Sequence, residues 1–195
     1  MLCNKITTVV MLSPLLVELL YTHTEFVMIR PTTPDDTTAL IALADATGLF
    51  EPEQLEELGK MLSDYFSANN DSDSLRDGKA ERFWLTDDDH GAVGVAYCEM
   101  ERMTDRTWNL QLIAIHPDCQ GQGRGTKLLR HIEQTLAARS GRVLLVETSG
   151  TPDFERTRAF YRKCGYNEEA RIRDFYTEGA DKIVYRKALS TQENY

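Results

Sequence analysis

Gln120-Gly121-Gln122-Gly123-Arg124-Gly125 lies between an apolar, strand-like run, Leu110 to Ile115, and a helix-like run, Thr126 to Ala138. Three glycines in five residues let the backbone approach an anion without Cβ contacts. The unpaired N–H groups of the first helical turn then point at it. Arg124, Lys127 and Arg130 add positive charge along that turn and the next. The chemistry on offer is phosphate binding, with the side chains of Gln120 and Arg124 in reach of phosphate oxygens and Arg able to bond them in pairs.

Spacing narrows the choice of phosphate ligand. A nucleoside-triphosphate loop needs four residues between its first Gly and a Gly-Lys-Ser/Thr, whereas Lys127 follows Thr126 here. The dinucleotide fingerprint needs a small residue three positions after its second glycine. That position holds Thr126 counted from Gly121 and Leu128 counted from Gly123.

What remains is Gln-x-x-Gly-x-Gly at Gln120, Gly123 and Gly125, which resembles the coenzyme-A pyrophosphate loop of the GNAT superfamily of N-acetyltransferases. Ile113-Ala114-Ile115-His116-Pro117 is similar to that family's strand ending in a His-Pro turn. Arg158 to Tyr166, with Phe160-Tyr161 and Gly165-Tyr166, is similar to its Phe-Tyr-x-x-x-Gly-Phe/Tyr helix end. The resemblance covers roughly residues 28–189. It implies an α/β mixed sheet, mostly antiparallel, with two parallel middle strands that splay apart to admit the pantetheine arm. It implies acetyl-CoA as donor, no metal, and an amine-bearing acceptor, either a small molecule or a peptide N-terminus.

The resemblance also assigns roles. Backbone amides of Ile113, Ala114 and Ile115 would bond the pantetheine and the thioester carbonyl. Gln120, Gly121, Gln122, Gly123, Arg124, Gly125 and Thr126 would hold the pyrophosphate. Tyr161 occupies the place of the family's general-acid tyrosine, and a phenol of pKa about 10 carries its proton at neutral pH. Glu147 falls where ribosomal-protein N-terminal acetyltransferases carry a glutamate base, with Glu99, Glu101 and a water route as rivals and a loop, Thr148 to Asp153, longer than theirs. Tyr176, in Arg173-Asp174-Phe175-Tyr176, matches a tyrosine that lines the acceptor pocket of those enzymes. Two other classes are compatible with the loop. One is an acyl-CoA-binding module without acceptor chemistry. The other is a dinucleotide-binding oxidoreductase in which Glu147 is the ribose-binding acid.

A chain of 195 residues with 42% hydrophobic and 27% charged composition suits one soluble domain. The net charge of −9 argues against nucleic acid as the main partner. Charge is also unevenly placed: Glu51 to Asp89 holds twelve acids against four bases, His116 to Ser140 four bases against two acids. That asymmetry suits a polyanionic donor and a cationic acceptor. Cys3, Cys98, Cys119 and Cys164 form no Cys-x-x-Cys pair and have no histidines at metal spacing, which reads as reduced thiols in a cytoplasmic protein. Residues 6–20 are apolar, but Pro14 and Glu18 interrupt them, no small-residue cleavage site follows, and the run is shorter than the ~20 residues of a spanning helix. Residues 1–27 are therefore expected to be an extension, with the domain at 28–189 and a tail at 190–195.

The elements expected to position these groups follow from periodicity and punctuation. Thr33-Pro34-Asp35-Asp36 starts a helix to about Ala46, and Glu51-Pro52-Glu53 a second with Leu55, Leu58, Met61, Leu62 and Tyr65 on its apolar face. Residues 69–78 read as an exposed loop. Strands follow at Arg82 to Thr86, Ala92 to Met103 and Thr107 to Ile115, separated by turns at Asp87 to Gly91 and at Thr104 to Arg106. A helix from Thr126 to Ala138 crosses over to a strand at Arg142 to Glu147, parallel to its predecessor. A helix at Phe154 to Cys164 and a hairpin of Asn167 to Phe175 with Asp181 to Ala188 complete the domain. The outer hairpin offers an edge for pairing in a homodimer.

Overall fold

The computed structural model describes residues 28–68 and 80–189. The readings made for 1–27, 69–78 and 190–195 lie outside the described residues. The strands are β1 (Met28–Pro31), β2 (Arg82–Asp88), β3 (Ala92–Met100), β4 (Thr107–Ile115), β5 (Val143–Ser149), β6 (Asn167–Thr177) and β7 (Ala180–Ala188). The helices are α1 (Thr37–Ala46), α2 (Pro52–Ala68), α3 (Arg124–Ala138) and α4 (Glu155–Lys163). One mixed sheet runs in the order β1-β2-β3-β4-β5-β7-β6, with β4 and β5 parallel and every other pair antiparallel.

Two cores flank the sheet. On one face α3 buries Leu128, Leu129, Ile132 and Leu136 against Phe83, Cys98, Trp108, Leu110, Leu144, Val146 and Tyr185. Each such aliphatic side chain contributes roughly 1.5–3 kcal/mol when fully buried. On the other face α1 and α2 bury Leu40, Leu43, Leu58, Leu62 and Tyr65 against Trp84, Val95, Tyr97 and Ala114. The period-2 alternation of β3 supplies both cores, with Ala96 and Cys98 to one and Val95 and Tyr97 to the other.

The entry to α1 is tied down by charge. The Thr33 N–H donates to Asp36 Oδ2 at 2.8 Å, completing a 3-10 turn over Pro34–Asp36 where a continuous helix was expected. Arg30 donates to Asp36 at 2.7 and 2.8 Å and to Asp88 at 2.7 Å, so β1, the helix start and the end of β2 share one guanidinium. The Arg30 side chain, ahead of the offsetting burial, holds the Asp36 carboxyl below its usual range.

Several boundaries differ from expectation for identifiable reasons. β2 continues through Asp88 instead of turning at Asp87, because Asp87 finds an arginine partner inside the fold. β3 ends at Met100 rather than Met103, and Met103 is fully exposed with positive φ. α3 starts two residues early, at Arg124, and β5 runs on to Ser149, shortening the loop before α4. A 3-10 turn, Pro152–Phe154, then leads into α4.

Candidate active site

β4 and β5 pair only from Thr107↔Val143 to Leu110↔Val146, although β4 runs on to Ile115 and β5 to Ser149. The reason lies in β4. Its register with β3 passes from Cys98↔Leu110 to Tyr97↔Leu112, so Gln111 is an extra, unpaired residue: a β-bulge that bends the strand away from β5. Past the bulge, Ile113 and Ile115 pack toward the α3 core and Leu112 and Ala114 toward the α1/α2 core. The His116 N–H donates to Val93 O at 2.8 Å, on the β3 side. Antiparallel alternation then turns the Ala114 amide toward β3 and the Ile113 and Ile115 amides toward the opened gap. Of the three amides, those of Ile113 and Ile115 point into the gap and that of Ala114 does not.

The glycine loop begins where the gap opens. A 3-10 turn, Pro117–Cys119, follows β4, and the Gln120 side chain folds back to donate to Ile115 O at 3.0 Å. The Gln122 side chain likewise donates to Asp118 O at 3.0 Å. Gly121 and Gly123 adopt φ of 76° and 80°, the left-handed region that glycine alone enters without cost. The first helical bond is Lys127 N–H to Gly123 O at 3.0 Å. The N–H groups from Gly121 to Thr126 have no acceptor among the described residues, and they lie at the positive end of α3. The loop lies beside α4, since a Cβ on Gly125 would sit 3.6 Å from the Phe160 ring.

Arg124 departs from the expected role. Its guanidinium is buried and donates to Asp87, at 3.3 and 3.4 Å, and to Asp89. Burial pulls its pKa down, and Asp87 and then Asp89 outweigh that pull. Arg124 therefore offers an anion its amide, while its side chain staples the loop to the β2–β3 turn. Beyond the loop, a groove between α3, the end of α4 and β7 is lined by Thr126, Arg130, Lys163 and Lys187. Lys187 is paired with Glu133 at 2.8 Å.

Tyr161 lies in the α3/α4 core, 3% exposed, with ring centroids of Phe160, Tyr166 and Tyr185 at 5.2, 5.7 and 5.8 Å. Tyr166 donates its hydroxyl proton to Glu133 at 3.0 Å, and the Tyr185 hydroxyl accepts from Arg162 at 3.2 Å. The Tyr161 hydroxyl bonds none of the described residues. Burial, then the nearby Cys164 and Cys98, push this phenol above its usual range, so it carries its proton throughout ordinary pH.

Glu147 follows Val146 on β5 and so faces the opposite side of the sheet from the Tyr161 core. Its Oε2 is paired with Lys182 Nζ at 2.6 Å, and Lys182 stands 3.7 Å from the centre of the Phe175 ring. Tyr176, 52% exposed, meets Phe175 edge-on at 5.0 Å. Burial raises the Tyr176 phenol, Lys182 draws it down and Glu147 raises it again, which places all three groups within electrostatic reach. The structure thus brings Glu147 and Tyr176 together and sets Tyr161 across the sheet from them, with the opened strands between. Lys182 was not anticipated; period-2 counting from Val184 on β7 would have put it on the Glu147 face.

Among the described residues no helix is long and apolar enough to cross a membrane, and no three metal-ligating side chains cluster. Cys98, Cys119 and Cys164 are free thiols.

The chain was compared with known proteins. No curated protein matches it. A solved structure of a GNAT-family protein from Desulfovibrio desulfuricans has 27% identity and a TM-score of 0.75, over 84% of this chain and 99% of that one. The ribosomal-protein-S18-alanine N-acetyltransferase of Escherichia coli shares the fold at 20% identity and TM-score 0.60, over 86% of this chain and 98% of that one. An aminoglycoside 6′-N-acetyltransferase complexed with coenzyme A does so at 17% and 0.63, over 86% and 99%. Residues 79–168, which hold the bulged strand, the glycine loop and Tyr161, match the family model of the GNAT acetyltransferase domain. Residues 79–168 thus carry a GNAT acetyltransferase domain.

Proposed function

We propose that the protein is an N-acetyltransferase that moves the acetyl group of acetyl-CoA directly to an amine, within a ternary complex. The observation that carries this reading is the run of acceptor-free amides from Gly121 to Thr126 at the mouth of the gap between β4 and β5. A diphosphate fits that cradle, and the pantetheine arm fits the gap. Arg130 and Lys163 supply positive charge for the remaining phosphate of the nucleotide. Two proteins of like fold act on amines, and one of them was solved with coenzyme A.

Acetyl-CoA supplies an acetyl group activated as a thioester. The Ile113 and Ile115 amides hold its carbonyl and stabilise the charge that develops on oxygen. The amine nitrogen attacks the carbonyl carbon, the carbon–sulfur bond breaks, and the sulfur takes the electron pair. Tyr161 donates to that sulfur. The proton lost from the amine goes to Glu147, directly or through water, by way of the carboxylate oxygen that Lys182 leaves free. Side chains around Tyr176 enclose the acceptor.

Calorimetric titration with coenzyme A and acetyl-CoA, followed by thiol release with mixed amines, tests the reading. Affinity for NAD with none for coenzyme A overturns it. Coenzyme binding without thiol release on any amine favours a binding module. Gly123→Val forces a β-branched residue to a φ of 80° and should weaken coenzyme A binding by roughly five- to thirtyfold, about 1–2 kcal/mol. Glu147→Gln should lower kcat/KM about tenfold while coenzyme affinity stays the same. An unchanged kcat/KM would assign proton removal to solvent.

A further inference from the structure

β6 is the longest strand of the sheet, with 11 residues, and it stands at the edge, paired with β7 alone. Every one of its residues is exposed. The opposite edge, β1, is blunted: it has 4 residues and ends in Pro31, which has no N–H to offer a further strand. β6 holds neither proline nor lysine, the residues that commonly protect an edge. Its register with β7 shifts at Glu169 and again between Ile172 and Thr177, so the regular stretch open to another strand is centred on Ala170 to Ile172.

Charge is ordered about that centre. Glu168 and Glu169 precede Ala170, and Arg171 and Arg173 follow it. Arg171 is already paired, with Asp181 at 2.9 Å and with Glu168 at 3.4 Å. Among the described residues the side chains of Glu169 and Arg173 form no ion pair and no hydrogen bond. Laid antiparallel on a second β6, the acidic half of each strand meets the basic half of the other, and the two unpaired charges find partners.

Apolar exposure gathers on the same strand. Ile172, Phe175 and Tyr176 are 47, 48 and 52% exposed, three of the six exposed large apolar side chains among the described residues. Ile172 stands opposite Lys182, and the Lys182 ammonium lies over the Phe175 ring, so both share the face of the sheet that carries Glu147. On that face α1 and α2 pack on β2, β3 and β4 and leave β6 bare. Grouped apolar exposure of this kind marks a contact surface.

We propose that β6 pairs antiparallel with β6 of a second copy of this chain, about a two-fold axis near Ala170 and Arg171, so that one sheet runs through both copies. The interface is self-complementary, as a two-fold contact must be. The proposal is independent of the acetyl-transfer reading, because none of the groups it uses binds coenzyme or moves a proton.

The test is sedimentation velocity on the full chain from about 1 to 100 µM, the range in which a small interface should show a monomer–dimer equilibrium. Glu169→Arg and Arg173→Glu each set like charges against each other twice per dimer and should weaken association by about tenfold or more. Mixing the two variants should restore association as a heterodimer, and so should combining both substitutions in one chain. An unchanged thermal midpoint shows that each variant keeps its fold. A monomer at every concentration, a dimer that neither reversal weakens, or no recovery in either the mixture or the double variant overturns the proposal.

Discussion

Tyr161→Phe should lower kcat by about 10²–10⁴-fold, the range for loss of a positioned general acid, with KM and coenzyme affinity nearly unchanged. The hydroxyl bonds none of the described residues, and a phenylalanine fills the same space between Phe160, Tyr166 and Tyr185. Stability should therefore hold, which separates a chemical role from a packing one. The sign of the pH effect follows from burial. The proposed acid role needs the phenol in its protonated form, so activity would be lost as pH rose through its pKa. That pKa lies above the ordinary value of 10, so no basic limb from Tyr161 should appear in kcat below about pH 10. A fall of less than threefold in kcat, measured by thiol release in saturating acetyl-CoA, would leave Tyr161 as a core aromatic alone.

Arg124→Ala should cost about 3–5 kcal/mol of stability, the usual penalty for stripping one partner from a buried ion pair. The reason is Asp87, which has no exposed surface and would keep a charge with nothing to face it. Burial already holds the Asp87 carboxyl above its usual range, against the pull of Arg124. An acid whose folded pKa is raised destabilises the fold at higher pH, and that cost fades as pH falls through the raised value. The deficit of Arg124→Ala should accordingly shrink toward acid pH. Asp87→Asn in the same chain should recover much of it at neutral pH. Urea unfolding of the four chains of that cycle measures the effect, and a loss below 1 kcal/mol would show that the loop does not depend on the staple.

Both results turn on what a linear sequence can and cannot display. β4 was legible to the residue, because Thr107 to Ile115 is bounded by a turn and by Pro117 and carries an apolar run. The helices were legible from their periodicity, and the glycine loop from spacing alone. Asp87 was not: Asp-Asp-Asp-His-Gly reads as a turn, and only the arginine 37 positions later makes its first member a buried strand residue. Arg124 failed for the same reason in reverse, since a basic residue beside free amides looks like a phosphate ligand until its acids are seen across the sheet. The bulge at Gln111 leaves no local signal either. It exists only in the register between two strands.

The strand order has a bearing on synthesis. β7 emerges after β6 yet lies inside the sheet, bonded to β5 on one side and to β6 on the other. A nascent chain halted before Ala180 would carry β5 with a bare rim, the ready template for mispairing with a neighbouring polypeptide. It would also lack Lys182, and Glu147 would have no counter-charge. The cleft bordered by β5 is thus among the last parts to be finished, and chains truncated before β7 should accumulate as insoluble product.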